Sequence, residues 1–178
     1  LEERNLTAKD VVVGIAASGR TPYVLGGFEY AKSLGCVTAA VSCNVGSAIG
    51  QAADIAIEAE VGPEVLTGST RLKSGTAQKM ILNMITTASM VRIGKAYQNL
   101  MIDVVQSNEK LHTRAENIAM DATGVSREEA RRAIDEAGGS VKLAVTMLLA
   151  ECDVETARGL LEKSRGHVRE AIQSISRR

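Results

Sequence analysis

The chain has 178 residues, and its 21 lysines and arginines balance 21 aspartates and glutamates, so the formal charge is zero. A nucleic-acid binder usually carries a basic excess to neutralise phosphates, and the four aromatics, Tyr23, Phe28, Tyr30 and Tyr97, are too few for a base-stacking surface. The apolar share of 45% is ample for a globular core, yet no segment reaches the roughly 18 to 20 uncharged apolar residues that span a bilayer, and no basic-then-apolar leader opens the chain.

Strand and helix alternate through the first third. DVVVGIAA (10–17) is a continuous β-branched run, as expected of a strand buried on both faces. It ends in SGRTP, where Thr21 can N-cap a helix and Pro22 suits the first helical position. That helix is expected to run through Leu34 and stop at Gly35, with a second strand at VTAAVSC (37–43), a short helix or turn in NVGSAIGQAA, and a third strand at DIAIEAE (54–60). The order implies parallel strands with right-handed crossovers. Doubly wound sheets commonly have about five strands. The expectation is therefore the C-terminal part of a larger α/β domain whose missing strands precede Leu1, with a complete three-stranded sheet as the alternative.

A long helix is expected from about Thr70 to Tyr97. Its apolar residues, including Met80, Met84, Ile85, Met90, Val91 and Ile93, lie on most faces, which predicts burial inside the domain or against a second subunit. Another helix is expected over 103–122. Beyond it a 27-residue shift superimposes Glu128, Ala130, Arg131, Gly139, Val141 and Ala144 on Glu155, Ala157, Arg158, Gly166, Val168 and Ala171. Each copy reads as helix, glycine corner, helix, and neither can bury its apolar stripe alone, so the pair predicts a small four-helix module. Ser126 with Glu129 forms a capping box, and Asp153 is an N-cap candidate for the second copy.

Three groups of residues have chemistry to offer. AASGRTPY (16–23) lies where a parallel strand turns into a helix, the edge at which ligands of open sheets bind. A helix start supplies backbone N–H groups and a positive dipole end; Ser18 and Thr21 add hydroxyls, Gly19 allows close approach and Arg20 adds charge. The loop matches neither GxGxxG nor the Walker pattern, so a single phosphate suits it better than a nucleotide. Plain capping by Thr21 and Pro22 accounts for the same residues, and both readings stand.

The stretch GPEVLTGSTRLKSGTAQK (62–79) repeats the logic with three glycines and five hydroxyls. Ser69 and Thr70 are candidate caps of the long helix, Arg71, Lys73 and Lys79 bring positive charge, and Glu64 is the lone carboxylate, either a catalytic group or a solvated loop residue. In NEKLH, Glu109 and His112 are three apart and share a helical face, in a catalytic or a structural role. Cys36, Cys43 and Cys152 are odd in number and have neither CxxC nor Cys/His ligand spacing, which reads as reduced, half-buried thiols of a cytosolic protein and not as a metal site.

ASGRTPY and GPEVLTGSTRLKSGTAQK together closely resemble the sugar isomerase (SIS) fold, and specifically its N-acetylmuramic acid 6-phosphate etherase branch. The signature that this branch shares with the glucokinase regulatory protein is matched as GPE, then TGSTRLK, then SGTAQK, and the resemblance continues through NLMIDVVQSNEKLH into the helical tail. It implies an α/β fold: a partial SIS-type parallel three-layer αβα sandwich over 1–122, followed by a small all-helical module over 123–178.

The resemblance also implies a bacterial cytoplasmic carbon–oxygen lyase of cell-wall recycling. Such an enzyme cleaves the D-lactyl ether of N-acetylmuramic acid 6-phosphate to N-acetylglucosamine 6-phosphate and D-lactate, with no metal and no other cofactor. A base takes the C2 proton of the open-chain sugar, an acid protonates the departing lactate oxygen, and water adds to the unsaturated intermediate. The implied partners are a phosphorylated amino sugar and a second copy of the chain, with no nucleic acid and no membrane. Ser18, Gly19, Arg20, Thr21, Glu64, Ser69, Thr70 and Lys73 would hold the phosphosugar near a subunit boundary, with Glu109 and His112 reaching in from either chain. The family's acid and base glutamates precede Leu1, so this chain by itself is expected to hold half of the site and to be inactive. The competing class is a non-catalytic phosphosugar sensor.

Overall fold

The β-branched run near the start forms β1 (Val11–Ile15), and Thr21 and Pro22 open α1 (Pro22–Ser33) as expected. β2 (Val37–Ser42), α2 (Ala48–Ala52) and β3 (Ile55–Glu58) follow, and the three strands form one parallel sheet in the order β1-β2-β3. Val11 stands opposite Val37 and Ile15 opposite Val41, while Ala39 faces Ile55 and Ser42 faces Glu58. The computed structural model describes residues 1–176; residues 177 and 178, the end of the expected helical module, lie outside the described residues. Two compact units divide the chain, Leu1–Ile85 and Thr86–Arg178.

In the first unit only the central strand β2 is buried along nearly its whole length. The expectation that the first strand is buried on both faces is not met. Val12 packs with Val24 and Phe28 of α1, Ala16, Ala40 and Ile49, whereas Val11, Val13 and Ile15, on the opposite face, are exposed. β1 is an edge strand, paired with β2 alone among the described residues. Gly14 fixes how closely α1 lies on β1: a Cβ there would fall onto Val24 Cγ1 and come within 2.5 Å of Phe28 Cζ, a ring that is 1% exposed.

A polar knot joins the far end of α1 to the loop before β3. Asp54 Oδ2 accepts from the Thr38 backbone N–H and from its hydroxyl, both at 2.8 Å, and Lys32 Nζ lies 3.0 Å from Oδ1. The Thr38 hydroxyl and amide bonds, with Lys32 beside them, hold the Asp54 carboxyl down at about 2.

The long helix, α3 (Lys73–Arg92), is shorter than the expected Thr70–Tyr97. Gly94, at φ +75°, turns the chain out of it, and the Lys95 N–H bonds back to Met90 O at 3.0 Å. Of the two covers expected for the helix, burial inside the domain is not what the chain shows. Ser74 is its one buried residue, and Met80, Met84, Met90 and Val91 are about half exposed.

Where the helices at 70–97 and 103–122 were expected almost to meet, the second unit has an antiparallel pair, β4 (Ala96–Tyr97) and β5 (Leu100–Met101). α4 (Glu109–Thr123) begins later than expected because the Asn108 side chain caps it, accepting from Leu111 N at 3.0 Å. The repeat forms α5 (Arg127–Glu136), α6 (Val141–Ala150), α7 (Val154–Lys163) and α8 (Val168–Ser176). The Ser126–Glu129 capping box is present, and Asp153 caps α7 through Thr156 N at 2.8 Å. Ala115, Ile118, Ala130, Ile134, Val141, Val145, Ala157 and Val168 share one core, together with Ile102.

Gly14→Ala is expected to cost about 1 to 3 kcal/mol through overpacking, read as a lower denaturant midpoint at an unchanged slope. For Asp54 the folded value lies below the unfolded one, so its stabilisation is complete above pH 3.8 and is lost as pH falls through about 2. Asp54→Asn should therefore make stability vary less with pH across that window than in the parent, as measured by unfolding at stepped pH.

Candidate functional site

Because the strands are parallel, every strand-to-helix junction of the first unit opens on one edge of the sheet. The β2–α2 junction is closed by a carboxylate from β3. Glu58 accepts from Gly46 N at 2.7 Å, from Ser47 N at 2.9 Å and from Ser47 Oγ at 2.8 Å, while Ser47 Oγ accepts from Gly50 N at 3.0 Å. Those donors, the Gly46 amide first, hold the Glu58 carboxyl below its ordinary value. Neither Ser47 nor Glu58 is among the sequence-derived candidates. Serine directly before AIGQ is a capping signal, but nothing local announces that Glu58 supports it.

A second carboxylate closes the start of α3. Ser69 and Thr70 do not cap this helix, contrary to expectation, because it begins at Lys73 and both residues lie upstream of its N-cap position. Glu64 reaches across nine residues instead, accepting from Lys73 N at 3.0 Å and Ser74 N at 3.1 Å. The Lys73 amide leads the contacts that hold its carboxyl below the usual range. Ser69 Oγ accepts from Arg71 N at 3.3 Å and thereby shapes the loop. The Lys73 side chain is exposed.

The β1–α1 junction differs from these two. Thr21 occupies the N-cap position but its side chain makes no capping hydrogen bond, and among the described residues no carboxylate bonds to the first turn of α1. Ser18, Arg20 and Thr21 are exposed; Ser18 Oγ accepts from Arg20 N over a long 3.4 Å. Gly19 is buried beneath them at φ +68°, where a Cβ would collide with Ser47, and its carbonyl accepts from Ile49 N at 3.0 Å. Cys43, a buried free thiol, links the junctions: its N–H donates to Ala17 O at 2.9 Å, and its Sγ lies 3.9 Å from Ser74 O. Ser18, Gly19, Arg20, Thr21, Glu64, Ser69, Thr70 and Lys73 thus all belong to the loops and helix starts of this one edge.

Glu109 and His112 lie in the first turn of α4, in the second unit. His112 Nδ1 is 3.0 Å from Gln106 Oε1.

Residues 3–88, which hold both motif loops, match the family model of the SIS domain. Similarity extends beyond the SIS domain through the helical module. An N-acetylmuramic acid 6-phosphate etherase of Rhizobium rhizogenes is 59% identical over 98% of this chain and 57% of its own length. Enzymes of that name from Geobacillus thermodenitrificans and Vibrio campbellii are each 56% identical, over 97% and 98% of this chain and 59% and 56% of their own lengths. The chain therefore spans somewhat more than half of the curated relatives it matches, and the SIS domain is the part that carries the junctions described above.

Glu64→Ala should free the first amides of α3. The expected outcome is faster hydrogen exchange at Lys73 and Ser74 with little change at the start of α1; equal changes at both helices would show that Glu64 supports the unit as a whole.

Proposed function

We propose that the whole protein is a carbon–oxygen lyase that releases D-lactate from N-acetylmuramic acid 6-phosphate. The reading is supported by the names of its relatives and by one structural observation. Of three strand-to-helix junctions on a single sheet edge, two hold an internal carboxylate, Glu58 and Glu64, and the third, at Ser18–Thr21, is lined with hydroxyls and an arginine. An open helix start with exposed donors suits one phosphate ester. Arg20 supplies a charge-assisted contact, and Ser18 and Thr21 supply hydroxyl donors. Lys73 and Ser69 extend the same edge toward the sugar.

In this reading the carboxylates present here have other tasks. Glu64 is spent on the amides of α3, so proton transfer at C2 and at the ether oxygen falls to acid and base groups outside this chain, as the family resemblance implies. The chain alone then binds phosphosugar and does not turn it over. The exposed apolar face of α3 is read as the contact with a second copy, and the bacterial cytoplasm as the location. Residues 1–122 are read as SIS-type domain and 123 onward as a separate helical module.

The test is D-lactate release by the full-length protein. Arg20→Ala and Lys73→Ala should each weaken transition-state binding by about 1.5 to 3 kcal/mol, roughly ten- to a hundredfold in kcat/KM. Wild-type kinetics in both variants would move the phosphate elsewhere. Tight phosphosugar binding without lactate release would instead make the protein a sensor.

A further inference from the structure

The segment that joins α3 to α4 is held down by the helical module at both glycine corners of the repeat. Ile102, fully buried, sits in the core that the module shares with α4. At the second corner Gly94 lies so close to Gly166 that a Cβ on Gly94 would be 2.5 Å from the Gly166 carbonyl oxygen. At the first corner, Gly139 O accepts a 2.7 Å hydrogen bond from Gln106 Nε2. Gly139 and Gly166 are the two residues that the 27-residue repeat superimposes, and the extended segment held at these corners carries Gln106 to the start of α4.

Gln106 is half-buried and has a partner at each end of its amide. A backbone carbonyl can only accept, so the NH2 group must face Gly139; the reversed amide would set two oxygens against each other. The orientation of the amide is therefore dictated by chemistry, and Oε1 must face His112 Nδ1, 3.0 Å away. An amide oxygen can only accept, so Nδ1 must carry the hydrogen. In the neutral ring that leaves Nε2 with its lone pair free.

We infer that Gln106 is a positioning residue: it relays the Gly139 carbonyl of the helical module to His112 and locks the ring in the Nδ1–H tautomer, with Nε2 as the free acceptor. An unconstrained histidine side chain prefers the opposite tautomer. The module thereby sets the chemical state of a side chain on a helix outside the repeat. What Nε2 then does rests on the lyase reading and on the family resemblance, which implies that His112 reaches the phosphosugar from one chain or the other: it is ready to accept a hydrogen bond or proton from a hydroxyl group, and it is not a donor.

The two histidines of the chain, His112 and His167, make the test direct. In the full chain with 15N-labelled histidine, at a pH where the rings are neutral, His112 should show a protonated Nδ1 and an unprotonated, far-downfield Nε2; His112→Gln assigns the signals. Gln106→Met removes both bonds and should return His112 to the ordinary tautomer mixture. Gln106→Glu also loses the bond to Gly139 but keeps an acceptor beside Nδ1, so it should retain the Nδ1–H signature. A wild-type ring protonated mainly on Nε2, a Met variant with the wild-type signature, or a Glu variant that behaves like Met would each overturn the inference. D-lactate release by full-length His112→Gln and Gln106→Met is scored separately. Unchanged release beside the expected ring signature removes His112 from the sugar site and leaves the relay standing, whereas a several-fold fall in kcat in both variants places the relay in the reaction.

Discussion

The first backbone N–H groups of a helix have no acceptor within it, and a parallel sheet delivers all of its helix starts to one edge. In the first unit this constraint organises nearly everything else. Glu58, at the end of β3, holds Gly46 and the Ser47 cap that in turn accepts from α2, and Glu64, a few residues on, accepts from the first amides of α3. Glu58 is the last residue of β3 and Glu64 lies in the loop after it, so the end of β3 ties down the loops on either side of it. The α1 start is not treated in this way. Its polar residues point outward over a buried Gly19, whose close packing on Ser47 sets the turn. Under the proposed function a single anion would take the α1 start, since a second would meet amides already committed to carboxylates.

Where the chemistry is local, it was legible in the sequence. The strand and helix order, the N-cap position of Thr21 with Pro22 behind it, the Ser126–Glu129 box and the paired helices of the repeat all follow from short-range patterns, and all are present. Nonlocal contacts were not legible. Glu64 caps a helix nine residues downstream, and Glu58 supports a serine eleven residues upstream, spacings that no capping template contains. The β4–β5 hairpin was hidden for another reason. Its turn is Gln98–Asn99, and the positive φ of 54° falls on Gln98 and not on the asparagine that would announce it, while the apolar run of α3 led straight into it.

The internal repeat is a core pattern more than a surface one. Ala130 and Ala157, Val141 and Val168, and Ala144 and Ala171 are all buried, each pair related by the same 27-residue shift. Glu128, Glu155, Arg131 and Arg158, equally part of the pattern, are exposed. Small apolar residues at matching places let short helices of nine or ten residues approach closely and share one interior. The glycine corners stay outside that interior, where their backbone groups are free to hold the strand leading to α4. The module thus has a second output besides its own stability, because the groups that turn its helices also fix the path of a neighbouring segment.

Two apolar surfaces stand apart from these closed cores, and they ask for different cover. β1 offers an unpaired strand edge as well as the side chains of Val11, Val13 and Ile15. Its backbone N–H and C=O groups are best satisfied by another strand. α3 satisfies its own backbone and offers only side chains, among them Met80, Met84 and Met90, which are unbranched and adapt to an irregular surface. A helix or a second copy of α3 answers that demand, and a strand does not. The two surfaces therefore differ in chemistry, one asking for backbone hydrogen-bond partners and the other for side chains alone.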